Sequence, residues 1–243
     1  MKLIKKNIAA NFAGNIWQAL IGLIFIPLYM KFLGMECWGL IGIFTAMQTM
    51  SGILDLGMSN TLNREMARLS ALQGREQEMR NLVRTLEVFY WSIAVFAGII
   101  VAALSPFIAH HWVKAEQLSP KTVEHAFLLM GFAITLQMPV GFYSGGLMGL
   151  QRQVLLNAIN ISTSTLRGVG AGLILWLVSP TIQAYFLWQI VVSVTNIFFL
   201  VMFLWRRLSP DDNKAVFQKQ LLKGIWRFAA GMSGITILSL ILT

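Results

Sequence analysis

The sequence predicts an all-α polytopic membrane protein, a six-helix transmembrane bundle followed by the first helix of a second bundle. Three observations predict it. Hydrophobic residues make up 56% of the 243 positions and charged residues only 12%, against about 25% charged in soluble domains. Apolar stretches of roughly the 20 residues that a spanning helix needs recur along the whole chain. Lysine and arginine gather in alternate loops between those stretches, as expected for a multi-span protein.

The spans read as residues 8–29, 38–62, 86–107, 126–150, 157–178 and 183–205, with a seventh over 225–243. The first carries no convincing small-residue cleavage site, so it reads as a retained anchor and not as a signal peptide. The second and fourth exceed the usual length and have room to tilt. Helices are the expected spanning form, since the short alternating segments of a membrane barrel are missing from the sequence. This divides the chain into a bundle over residues 1–208, a linker over 209–224 and the seventh helix over 225–243. The linker starts with the helix-breaking run Ser209-Pro210-Asp211-Asp212-Asn213 and turns basic from Lys214 to Arg227.

Orientation follows from the basic residues. With the N-terminus in the cytoplasm, that side collects Lys2, Lys5, Lys6, Arg64, Arg68, Arg75, Arg80, Arg84, Arg152, Arg206, Arg207 and the basic linker. The other side holds Lys31, Lys114 and Lys121 alone. The net charge of +9 is therefore a topology signal and secondarily an attraction to anionic lipid, and it gives no reason to expect nucleic acid. Trp38, Trp112 and Trp176 fall near the external interface, and Trp205 and Trp226 near the cytoplasmic one, the usual aromatic belts.

The loops are short and carry little chemistry. Residues 63–85 mix Arg with Glu65, Glu76 and Glu78, read as helical and turn near Gly74. Residues 110–124 hold two histidines without metal-ligand spacing, so no metal site is expected. The single cysteine, Cys37, excludes an intrachain disulfide. The outer loops offer only Glu36, Glu116 and Glu124, with no paired arrangement for a membrane-embedded transferase or ligase. The chain therefore reads as neither an enzyme nor the holder of a cofactor.

Arg167 is the most informative residue. It lies ten residues into the uncharged stretch 157–178, roughly 15 Å deep, near the bilayer midplane. A guanidinium stays charged there, and lipid contact costs about 2.5–3.5 kcal/mol on insertion scales. It must face protein or water, and a fixed positive charge at that depth fits an anionic substrate. The competing reading is a structural clamp on helix carbonyls or an acid.

Polar residues recur at helical spacing in four spans: Asn11, Asn15 and Gln18; Gln48, Asp55 and Ser59; Asn160, Ser164 and Arg167; Gln189, Ser193 and Asn196. Offsets of three and four, with Gly52 filling the gap between Gln48 and Asp55, place each set on one helix face. Single Asn, Gln and Ser residues commonly bond between helices, at about 0.6 kcal/mol each; four stripes with an Arg and an Asp fit a shared aqueous cavity better. Asp55 is a candidate for a coupling cation, for proton carriage, for pairing with an arginine, or for merely holding the helix end. The third span is nearly free of such residues and is expected outermost. Gly141, Gly145 and Gly149, with Gly168 and Gly172, form small-residue ridges for close helix contact, and Pro27 and Pro139 favour bends.

The N-terminal quarter carries a resemblance. Asn11-Phe12-Ala13-Gly14, then Pro27-Leu28-Tyr29, Leu33-Gly34-Met35-Glu36-Cys37-Trp38-Gly39-Leu40 and Leu54-Asp55-Leu56-Gly57-Met58-Ser59, followed by Arg64 and Ala67, resemble O-antigen-type polysaccharide flippases. That family sits in a superfamily with multidrug extruders and the lipid II flippase. Trp38 stands where a Tyr is commoner. The resemblance implies two six-helix bundles about a central cavity, so the chain looks like the N-terminal half, completed by a second half or by a parallel homodimer mate. It implies transport of an undecaprenyl-pyrophosphate-linked oligosaccharide from the cytoplasmic to the outer leaflet of a bacterial inner membrane. Arg167 would attract the pyrophosphate or acidic sugars, Asn11, Asn15, Gln18, Asn160 and Asn196 would bind sugar hydroxyls, and Arg64 would meet the headgroup. H+ or Na+ would be the coupling ion, with Asp55 its candidate site. The rivals are a multidrug/cation antiporter of the same superfamily, against which Arg167 argues, and a non-transporting partner subunit.

Overall fold

The computed structural model describes residues 2–53, 55, 57–113, 118–208 and 214–221. Every regular element among them is helical: α1 (Lys2–Ile53), α2 (Met58–Ser70), α3 (Glu76–Phe107) with a π-helical turn at Ile108–Trp112, α4 (Pro120–Gly149), α5 (Gln153–Leu177) and α6 (Ile182–Arg207). The stretches Asn7–Met50, Glu76–His111, Pro120–Gly149 and Ile182–Arg207 are each long and apolar enough to cross a membrane. The linker run 209–213 and the seventh span 225–243 lie outside the described residues.

Within α1 the first two expected spans are two helical segments that meet directly at Gly34, whose φ of 79° and ψ of 174° are not helical. Only glycine takes that backbone conformation without strain, so a single residue replaces the expected external loop. The second span departs from the sequence reading in the opposite sense. It does not run unbroken over 38–62 but stops at Ile53 and restarts at Met58. Asp55 and Gly57 account for the break. Gly57 sits in the left-handed region at φ 69°, and Asp55 turns its own acceptors on the next helix. Its carbonyl takes the Met58 N–H at 2.9 Å, and its Oδ2 takes the Ser59 N–H at 3.3 Å. A short polar side chain competes in this way with the helical ladder.

The turn from α2 to α3 falls where the sequence places it, with Gly74 at φ 75°. The third span packs against α2 and α4 at one edge of the bundle. Its C-terminal half exposes Phe96, Ile99, Leu104 and Phe107, and its first half buries Leu86, Glu87, Tyr90 and Ala94. Glu87 Oε1 accepts from Tyr143 OH on α4 at 2.6 Å and from Trp205 Nε1 on α6 at 3.3 Å. Its Oε2 meets Arg84 at 2.8 Å. A carboxylate at the start of an apolar run reads as an interfacial residue in sequence; here three partners make its burial tolerable.

Helix α4 is the hub, packing against α1, α2, α3, α5 and α6. The glycine ridges of α4 and α5 allow close helix contacts. A Cβ at Gly149 would lie 2.7 Å from Met66 Cβ of α2, and one at Gly168 would lie 2.5 Å from Ile21 Cγ2 of α1. Two apolar clusters form the core. One, at the arginine-rich end, includes Leu62, Met66, Leu86, Phe142, Leu200 and Leu204. The other, at the opposite end, includes Leu40, Phe44, Phe127, Met130, Leu175 and Phe186. Gln137, Gln189, Ser193 and Arg167 occupy the sequence intervals between these clusters on α4, α6 and α5, so the polar residues form a layer across the middle of the bundle.

Candidate functional site

Four of the polar residues singled out in sequence meet around one cavity of about 310 Å³: Gln18 of α1, Asn160 and Arg167 of α5, and Asn196 of α6. Ser164 of the α5 stripe joins them, as do Thr163 and, from α4, Gln137 and Ser144. The α5 register explains the convergence, because residues 160, 164 and 167 follow one face of a helix. Gln18 is tied back to its own helix, its amide donating to the Gly14 carbonyl at 3.1 Å. Thr163 Oγ1 lies 3.3 Å from Asn196 Oδ1 and donates to it.

Arg167 has no acidic partner among the described residues. Its electrostatic neighbours are the phenols of Tyr29 on α1 and Tyr185 on α6. Those rings meet edge-on at 5.3 Å between centroids, and Tyr29 donates its hydroxyl to the Gly168 carbonyl at 3.1 Å. The guanidinium Nε is shielded from solvent without a hydrogen-bond acceptor among the described residues. A positive charge is thus held at a cavity wall by groups that do not neutralise it, with donor capacity to spare.

Asp55 lies in an adjoining cavity of about 320 Å³ with Gln48, Ser59 and Tyr90. Its carboxylate accepts from Ser59 Oγ and from Tyr90 OH. The pairing of Asp55 with Arg167 that sequence left open is not formed. Instead Gln137 and Val140 of α4 line both cavities. The Gln137 amide joins three helices: its Oε1 accepts from Gln48 Nε2 of α1, and its Nε2 donates to Ser193 Oγ of α6 at 3.0 Å. Ser193 in turn donates to the Gln189 carbonyl at 2.7 Å.

The remaining predicted residues stand apart from the Arg167 cavity. Asn11 accepts from Asn157 Nδ2 across the contact of α1 with α5. Asn15 is exposed on α1. Arg64 is exposed on α2, 3.3 Å from Glu65. Gln137 is the residue that the sequence reading overlooked, although 137, 141 and 144 repeat the four-and-three spacing of the other stripes. Tyr29, Tyr90 and Tyr185 were overlooked for another reason: a tyrosine in an apolar run carries no positional mark of which way its hydroxyl turns.

A family model described as polysaccharide biosynthesis protein matches residues 4–243. Neither a curated protein nor a solved structure matches the chain significantly.

Proposed function

The chain belongs to the polysaccharide biosynthesis protein family, and on that premise we propose that it works in a flippase for lipid-linked oligosaccharide. The cargo is a polyprenyl-pyrophosphate-linked glycan, moved from the cytoplasmic to the outer leaflet of a bacterial inner membrane. The observation that carries this reading is Arg167, a guanidinium on a cavity wall with no acid beside it among the described residues and an unsatisfied Nε. An anionic headgroup supplies the missing counter-charge, and a planar fork can grip pyrophosphate with two parallel hydrogen bonds.

The neutral lining suits the rest of the headgroup. Gln18, Gln137, Asn160, Thr163 and Asn196 offer amide and hydroxyl groups to sugar hydroxyls, while the prenyl tail remains in lipid. Asn15 and Gln18 are exposed on α1, and polar groups facing hydrocarbon are costly. In this reading a second bundle or a parallel copy covers that edge, and the two bodies rock about the midplane. Arg64 meets the headgroup on the cytoplasmic side, and Asp55 takes the coupling H+ or Na+.

Binding tests the reading directly. The protein in lipid nanodiscs should retain an undecaprenyl-pyrophosphate-linked oligosaccharide. Arg167→Ala should weaken that retention by roughly tenfold or more, the scale of a lost charge-assisted contact. Equal retention by Arg167→Ala would contradict the proposal.

A further inference from the structure

A second basic feature stands at the arginine-rich end of the bundle, away from the Arg167 cavity. Three chain segments enclose a groove of about 400 Å³: the end of α2 at Ser70, the turn Leu150–Arg152 between α4 and α5, and the end of α6 at Arg207. Arg152 and Arg207 both line it, and neither has an acidic partner among the described residues. Arg68 nearby is paired, at 2.8 Å from Glu65. The turn is held in a particular shape. Gln151 takes a positive φ of 56°, uncommon for a residue with a side chain. Two backbone bonds lock it there: Gln151 N–H to the Met148 carbonyl and Arg152 N–H to the Leu147 carbonyl, both 2.9 Å.

Two aromatic residues of α6 lie on the membrane-interior side of Arg207. Phe203 and Phe199 lie four and eight residues before Arg207, on the same face of α6. Their rings stack at 6.3 Å between centroids with 23° between planes, and Phe199 is exposed. Two arginines at a helix end with stacked aromatic rings one and two turns deeper match a molecule with an anionic head and a hydrocarbon tail.

We propose that this groove binds the phosphate of an anionic membrane phospholipid, with an acyl chain along Phe203 and Phe199. The two guanidiniums bracket the phosphodiester, and the Ser70 hydroxyl lies on the same wall. Free phosphate would use the arginines but gain nothing from the rings, which is why a lipid is the assigned occupant. The site is separate from Arg167 and does not depend on the transport reading.

The test is phospholipid retention by the purified protein, measured by native mass spectrometry after exchange into mixtures of phosphatidylglycerol and phosphatidylcholine. Wild type should retain phosphatidylglycerol selectively. The double variant Arg152→Gln with Arg207→Gln should lose roughly tenfold or more of it, since each basic residue near the surface contributes appreciably. A charge-matched control, Arg206→Gln with Lys214→Gln, should retain it, and Phe199→Ala with Phe203→Ala should lower retention while leaving a response to inorganic phosphate unchanged. A photoreactive phosphatidylglycerol should crosslink to the 150–152 turn or the end of α6 in the wild-type protein, which requires no variant to fold. Equal losses in both charge variants would reduce the effect to diffuse attraction and overturn the site. So would crosslinks elsewhere, or retention of undecaprenyl phosphate in preference to phosphatidylglycerol.

Discussion

Tyr90 of α3 donates its hydroxyl to the carboxylate of Asp55 at the break between α1 and α2. The contact joins an interrupted helix to its neighbour at a point where the backbone ladder is missing. Tyr90 is essentially fully buried, so its hydroxyl depends on this partner.

Tyr90→Phe should therefore leave the Asp55 carboxylate with Ser59 alone. The expected cost is about 1.5–3 kcal/mol, the range for a hydrogen bond to a charged group. Thermal unfolding in detergent should show a lower midpoint. In the Asp55→Asn background the same Tyr90→Phe change should cost less, because the charged acceptor is already gone. Additive losses would show that the two residues do not act as a pair.

Glu87 makes a second such junction, reaching Tyr143 and Trp205 on two other helices. Glu87→Ala should destabilise the protein by about 3–5 kcal/mol, since it strands buried donors and leaves a void. Glu87→Gln should cost less, because an amide oxygen can still accept from Tyr143. Equal unfolding midpoints for wild type and Glu87→Ala would show that the cluster is not structural.

The architecture was legible in the sequence where repeated features signalled it. Apolar runs, the basic bias of alternate loops and the Gly74 turn all depend on many residues or on a glycine with one conformational role. The glycine ridges were legible too, since a residue without a side chain at every fourth position has few uses but close approach. A helix-end role for Asp55 was one of the readings its position allowed, but the interruption of the span there was not legible, because an acid flanked by leucines fits an unbroken polar stripe as well as a cap. The direct junction at Gly34 was equally hidden, because a lone glycine between two apolar runs also fits a loop. For the cavity, spacing put Gln18, Asn160, Asn196 and Arg167 on faces that meet around it, whereas Asn11 and Asn15 share the face of Gln18 without reaching it. They lie about two turns and one turn before Gln18, so depth along the helix, and not only its face, decides which side chains meet the cavity.

The packing of α2 on α4 predicts a sharp contrast between glycines. A Cβ at Gly145 would run into the Ser59 backbone, whereas one at Gly42 meets nothing within 4 Å. Gly145→Ala should cost about 1–3 kcal/mol through overpacking, and Gly42→Ala should be neutral or slightly stabilising through helix propensity. Thermal midpoints of the two variants check this, and similar midpoints would contradict the close α2–α4 approach.

Topology is checked by labelling. Cys37 is buried and is the chain's one cysteine, so new cysteines stand out after Cys37→Ala. Cysteines at Arg75 and Arg152 should react from the cytoplasmic side, and those at Lys31 and Lys121 from outside. External labelling at Arg75 would reverse the orientation proposed.

The central claim is that Arg167 carries the anionic headgroup, and transport with Arg167 variants tests it most directly. Translocation of a lipid-linked oligosaccharide should be measured for wild type, Arg167→Lys, Arg167→Ala, and Arg167→Ala combined with Asp55→Ala, each first shown to insert and fold. Lysine keeps the charge but loses the planar fork, so it should retain part of the activity. Both alanine variants should lose nearly all of it. Transport at the wild-type rate by Arg167→Ala would contradict the account, because it would leave the headgroup without its proposed partner.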